Sequence, residues 1–169
     1  LLLPSLVCGQ GQALPTVEEA LGAETVGTWS IIARDPRNGQ IGIAVQSRAF
    51  RAGRTVPYAE PGVGLVATQA GAANTNYGKK AMAWLKEGMT PQAIVDRLVA
   101  EDPNPGSRQV AVIDNTGEIA VYTGPNCRNW AGHIIGDQWS AQGNILDGPQ
   151  VVEETAKAFQ ASAGSDMDF

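Results

Sequence analysis

The junction Gly27-Thr28 carries the most chemistry in this sequence. A strand-like run, Thr28 to Ala33 (TWSIIA), starts directly at a threonine, and the residues before it look removable. A threonine at the start of a chain has its own α-amine beside its hydroxyl. That amine has a pKa near ~7.7, so at neutral pH part of it is unprotonated and can take the hydroxyl proton. The weak-nucleophile problem is then solved within one residue. No imidazole is needed, which suits a chain whose single histidine is His133. The same residue also reads as an ordinary β-branched opener of a strand, so the junction needs support from elsewhere.

Three segments offer it. The second strand-like run ends in Ala44-Val45-Gln46-Ser47-Arg48, where Ser47 can orient the α-amine by hydrogen bonding. The third ends in Ala67-Thr68-Gln69-Ala70-Gly71-Ala72-Ala73. Its small residues admit a substrate close to the backbone, and the Gly71 N–H can serve as an oxyanion donor. The catalytic candidates are Thr28, Ser47 and Gly71.

The substrate-contacting candidates are Arg48, Arg54, Gln69, Asn74, His133, Gln142 and Asn144. Arg48 and Arg54 suit an acidic group on a substrate, or equally a solvated surface. Gln142 and Asn144 flank Gly143 after a strand, where amides either bond an amide substrate or pin a turn. Cys127 lies six residues before His133, which raises a thiolate alternative. A structural histidine fits the same Gly/Trp-rich segment. Two such ligands are too few for zinc, so no metal and no cofactor are expected. Trp130 and Trp139 either line a pocket or pack two sheets together, whereas Trp84 reads as core.

The elements that must position these groups follow from patterning. Thr28 to Ala33 and Ile41 to Val45 form a hairpin around Asp35-Pro36-Arg37-Asn38-Gly39, with Gly39 at positive φ. Gly62 to Thr68 is a third, doubly buried strand. Tyr77 to Lys86 and Pro91 to Ala100 are helices, the second opened by a Thr90 N-cap and Pro91. Arg108 to Ile113 and Glu118 to Tyr122 form another hairpin around Asp114-Asn115-Thr116-Gly117. Gly124 to Trp139 is rich in glycine, tryptophan and amides, and Pro149 to Gln160 is a last helix. Strands and helices in blocks predict an α+β fold with antiparallel sheets covered by helices.

Composition narrows the classes. The 169 residues fit one domain. Net charge is −5 and pI about 4.8, which argues against nucleic acid as a partner. Leu1 to Ala13 reads as the remnant of a signal peptide and residues 14–27 as a propeptide or linker. The expectation is a secreted or periplasmic protein with no membrane span, and Cys127 as the only thiol left after processing. A homo-oligomer stays open, since no interface signal is visible.

Several of these segments occur in the order of a proteasome-type β subunit: Gly27-Thr28, the hairpin, Gly42-x-Ala44-x-x-Ser47-Arg48 and Ala70-Gly71-Ala72-Ala73. The chain more closely resembles a bacterial family, domain of unknown function 1028, of the N-terminal-nucleophile (Ntn) hydrolase superfamily. The resemblance rests on TWSIIARDPRNGQIGIAVQSRAF, VPYAEPGVGLVATQA, Asn76-Tyr77-Gly78 and Cys127-x-x-Trp130-Ala131-Gly132-His133. It continues through Ala141-Gln142-Gly143-Asn144-Ile145-Leu146-x-Gly148-Pro149 and Val151-Val152. It implies a four-layer αββα sandwich over residues 28–169, with its C-terminal part missing, and an amidohydrolase acting on a small-molecule amide. Proteasome-type subunits place an aspartate where this chain has Gln46, and a lysine whose nearest counterpart is Arg54. A contrasting reading is a non-catalytic cell-surface or glycan-binding protein on the same scaffold, using Trp130, Trp139 and nearby amides.

Overall fold

The computed structural model describes residues 27–71 and 73–162. The signal and propeptide expectations, and the C-terminal tail, lie almost entirely outside them. No helix among the described residues is long and apolar enough to cross a membrane.

The fold is α+β, with two four-stranded antiparallel sheets and four helices among the described residues. The strands are β1 (Thr28–Arg34), β2 (Ile41–Ser47), β3 (Pro57–Glu60), β4 (Gly64–Gln69), β5 (Gln109–Asp114), β6 (Ile119–Thr123), β7 (Trp130–Gly136) and β8 (Trp139–Leu146). The helices are α1 (Ala52–Thr55), α2 (Asn76–Lys86), α3 (Pro91–Glu101) and α4 (Gln150–Ser162). One sheet runs β2-β1-β8-β7 and the other β3-β4-β5-β6.

Local chemistry explains the turns. Gly39 takes φ 76° in the first hairpin, where Asp35 N–H donates to the Gln40 carbonyl. In the β5–β6 turn Asp114 Oδ1 accepts from the N–H groups of Thr116, Gly117 and Glu118. The Thr90 hydroxyl accepts from Ala93 N–H to cap α3, with Pro91 at its first position.

Side-chain alternation divides the core in three. Val66, Val110, Val112 and Ala120 pack under α2 and α3 with Met82, Ile94 and Leu98. Ile32, Leu65, Ala67, Ala111 and Ile113 pack with Ile43 and Val45, so β1 and β2 of one sheet face β4 and β5 of the other. Trp139, Ala141 and Leu146 pack with Val152 and Ala156 of α4. Each fully buried aliphatic side chain contributes about 1.5–3 kcal/mol.

The structure revises four local expectations. β3 and α1 were not foreseen, because both are only four residues long. The Gly124 to Trp139 segment is not irregular throughout: it contains β7, which pairs with β8 as a hairpin. Gln142 and Asn144 lie inside β8, not after a strand. Trp139 is buried against Phe159 with ring centroids 5.5 Å apart, and it packs under α4 rather than between the sheets.

Candidate active site

Thr28 is the first residue of β1 and is buried. It pairs with Ser47 of β2 on one side and Asn144 of β8 on the other. The period of two puts Thr28, Ser30 and Ile32 on the face that meets the second sheet, together with Ser47 and with Ser140, Gln142 and Asn144. Gln46, one residue out of phase, is on the opposite, exposed face. The Thr28 and Ser47 hydroxyls are 2.8 Å apart. Ser47 Oγ also accepts from the N–H of Ala49 at 2.9 Å, which fixes its rotamer.

Between the sheets the apolar core gives way to a buried hydrogen-bonded network. Ser140 Oγ donates to Gln142 Oε1 (2.9 Å), and Gln142 Nε2 donates to Ser30 Oγ (2.8 Å). Ser30 Oγ donates to Gln69 Oε1 (2.8 Å), and Gln69 Nε2 donates to Gln109 Oε1 (2.8 Å). Asn144 Nδ2 donates to the same Gln109 oxygen (2.9 Å). Gln109 Nε2 donates to the carbonyls of Gly143 (2.9 Å) and Gly132 (3.1 Å) and to Thr123 Oγ1 (2.9 Å). Buried amides are tolerated only when bonded in this way. Asn144 Oδ1 alone, among the buried side-chain polar atoms described, has no partner.

His133 ends one branch of the network. Its Nδ1 lies 2.8 Å from Thr123 Oγ1. A hydroxyl carries one donor and two acceptor sites, so Thr123 Oγ1 serves Nδ1 in either tautomer of the imidazole. Desolvation lowers the pKa of His133, consistent with the neutral form.

Gly71 emerges at the same end of the molecule as Thr28. Ser30, two residues beyond Thr28, bonds Gln69, two residues before Gly71. Between them Ala70 adopts φ 102°. A non-glycine residue there stores about 1–3 kcal/mol of strain, and the bend redirects the chain as it leaves β4.

The structure therefore gathers Thr28, Ser47, Gln69, Gln142 and Asn144 at one end of the inter-sheet space, with His133 linked through Thr123. Arg48 and Arg54 are exposed, outside this buried group. Asn74 belongs elsewhere. Its Nδ2 donates to Asp102 Oδ2 at 3.0 Å, in a knot that Tyr77 and Arg108 complete, on the helix-covered side of β4. Cys127 donates its thiol to the Arg108 carbonyl at 3.5 Å, and burial pushes its pKa up. The thiol bonds a backbone carbonyl and His133 bonds Thr123, so the two side chains are held by different partners. No group of three or more potential ligands able to hold a metal occurs among the described residues.

Ser30, Gln109, Thr123 and Ser140 are the members that sequence reading missed. The available signal was phase: Gln109 shares its face with Ala111 and Ile113, and Ser30 with Thr28 and Ile32. A concavity of about 540 Å³ lies far from all of this, at the Gly62–Asp114 end of the second sheet. Its Lys86 is already paired with Glu60.

Comparison with known proteins agrees with this architecture. A family model described as a family of unknown function, DUF1028, matches residues 28–168. The crystal structure of a Silicibacter pomeroyi protein that carries the same family model superposes with a TM-score of 0.78 at 29% sequence identity. The alignment covers 85% of this chain and 64% of that one, so the chain spans less than two thirds of its solved relative. No curated protein matches. On the strength of a match that runs through nearly every described residue, the chain belongs to the DUF1028 family.

Proposed function

We propose that this chain is an exported Ntn-type hydrolase of a small amide or peptide-like bond, built as a four-layer αββα sandwich. Thr28 is its nucleophile after cleavage of Gly27–Thr28. One observation carries the reading: a buried threonine opens the first strand with its hydroxyl 2.8 Å from a second, fixed hydroxyl. The family match begins at that same residue. Export rests on the apolar Leu1 to Cys8 stretch.

The chemistry follows from the groups present. The α-amine of Thr28 takes the hydroxyl proton as Oγ1 attacks the substrate carbonyl carbon. The oxyanion that forms is held by the N–H of Gly71. Collapse breaks the C–N bond, the leaving amine takes the proton back from the α-ammonium, and an ester on Thr28 remains. Water, deprotonated by the same amine, attacks the ester, and the proton returns to Oγ1 as the acid departs. Ser47 holds Oγ1 in line. A second reading, a glycan-binding protein on the same scaffold, would have to rely on the partly buried Trp130, since Trp139 is buried.

N-terminal sequencing of the mature protein tests the processing step. Periodate cleaves a threonine's 1,2-amino alcohol only where its amine is free, at the N-terminus, and should convert Thr28 to an aldehyde. Against a panel of small amides, Thr28→Ala should lose turnover while melting like the wild type, and Thr28→Ser should retain part of it. An active preparation with Gly27–Thr28 intact refutes the mechanism.

A further inference from the structure

The orphaned oxygen of Asn144 marks a position, and the network shows why it points where it does. Gln109 Nε2 shares its two hydrogens among two backbone carbonyls and Thr123 Oγ1. Carbonyls only accept, so the Gln109 amide cannot be turned over, and its Oε1 must face Gln69 and Asn144. Asn144 must then offer its NH₂ to Gln109, which leaves Oδ1 as the free acceptor. The side chain is 0% exposed, so bulk water does not satisfy that oxygen. Leaving such an atom bare costs about 1–3 kcal/mol.

Asn144 is the cross-strand partner of Thr28. On β1 the N–H of Arg34 donates to the carbonyl of Gln138, which immediately precedes β8. The two-residue alternation turns the nitrogen of Thr28 to that same side. In the uncut chain this nitrogen carries one hydrogen, committed to the sheet ladder. Hydrolysis of Gly27–Thr28 places hydroxide on the Gly27 carbonyl carbon and adds hydrogen to the Thr28 nitrogen. Only then does the Thr28 nitrogen, across the ladder from Asn144, carry a hydrogen beyond the one the sheet uses.

We propose that Asn144 Oδ1 holds the freed α-amine of Thr28, which makes Asn144 a positioning residue for the nucleophile. The inference rests on the Ntn reading above. With one N–H directed to Oδ1 and another to the ladder, the nitrogen lone pair is left to face Oγ1. Ser47 on the β2 side and Asn144 on the β8 side then fix the hydroxyl and the amine separately.

The test uses the mature chain. If the native protein keeps Gly27–Thr28 intact, the same terminus is made by starting translation directly before Thr28, with the initiator Met removed. All described elements and all three core clusters lie from Thr28 onward. A crystal structure of that chain should place the α-nitrogen within about 3.2 Å of Asn144 Oδ1. NMR titration of Thr28 should show the α-amine pKa falling by about one unit in Asn144→Leu and rising in Asn144→Asp, because the acceptor favours the ammonium form. Asn144→Asp keeps the acceptor and guards against a folding defect in Asn144→Leu. An amine turned away from Oδ1, or one pKa shared by all three chains, overturns the proposal. An intact native junction overturns the processing step alone.

Discussion

Replacing Gln109 by Met removes the hub of the buried network while keeping nearly the same volume. Gln109 is completely buried. Its loss strands Asn144 Nδ2 with no acceptor, and leaves Gln69 Nε2 only its longer contact to the Gln142 carbonyl at 3.4 Å. It also removes the donor to Thr123 Oγ1. At about 1–3 kcal/mol per buried group left unsatisfied, with the Gln69 fallback counted as a partial loss, the gross cost is about 3–5 kcal/mol. The added apolar surface returns about 1 kcal/mol, leaving a net loss of about 2–4 kcal/mol. Typical domains have only about 5–15 kcal/mol in total. With a urea m-value of about 1.5–2 kcal/mol/M, the midpoint should fall by about 1–2.7 M at unchanged m. A Gln109→Met midpoint within about 0.3 M of the wild type would falsify the view that these amides depend on one another.

Other outcomes follow from the same geometry. The Asp102 side chain is buried and bonded by Arg108, Asn104 N–H, Asn74 and Tyr77, which together hold its pKa well below the usual carboxylate range despite desolvation. Its stabilisation is thus fully present above an unfolded pKa of about 3.9 and is lost as pH falls through the lower folded value. Urea melts of wild type and Asp102→Ala should differ by about 3–5 kcal/mol at pH 7 and draw together below about pH 4, whereas a constant gap contradicts the assignment. A methyl at Gly124 meets the carbonyl groups of Gly106 and Pro105, whereas one at Gly42 meets nothing within 4 Å. Thermal melts should therefore show Gly124→Ala strongly destabilised and Gly42→Ala unchanged or slightly more stable; equal melting temperatures would mean the close approach is wrong. Cys127 should react with iodoacetamide more slowly than an exposed thiol at pH 7.5, and Cys127→Ala should keep any amidase activity. Loss of turnover in that variant would return the thiol to candidacy.

Local signals carried much of this protein before any tertiary contact was considered. Glycine and Asx chemistry set the hairpin turns, Thr90-Pro91 started α3, and runs of alternating or continuous apolar residues gave five of the eight strands. These are short-range effects, legible because a turn or a cap depends on a few neighbouring residues. The candidacy of Thr28 was also local, since a hydroxyl and an amine on one residue need no partner. What the sequence could not decide was which polar residues are buried. Gln109, Ser30 and Ser140 look like ordinary strand residues, and Asn74 looks like Asn144. Tertiary placement separates them: register sets Asn144 opposite Thr28 on the inner face, whereas Asn74, in the loop after β4, bonds Asp102. The same register turns Gln46 outward and Ser47 inward. Pairing between strands over a hundred residues apart sets this arrangement, and a one-residue slip would reverse every face. The chain alone therefore singled out Thr28 as the candidate, and only the meeting of two sheets supplied its surroundings.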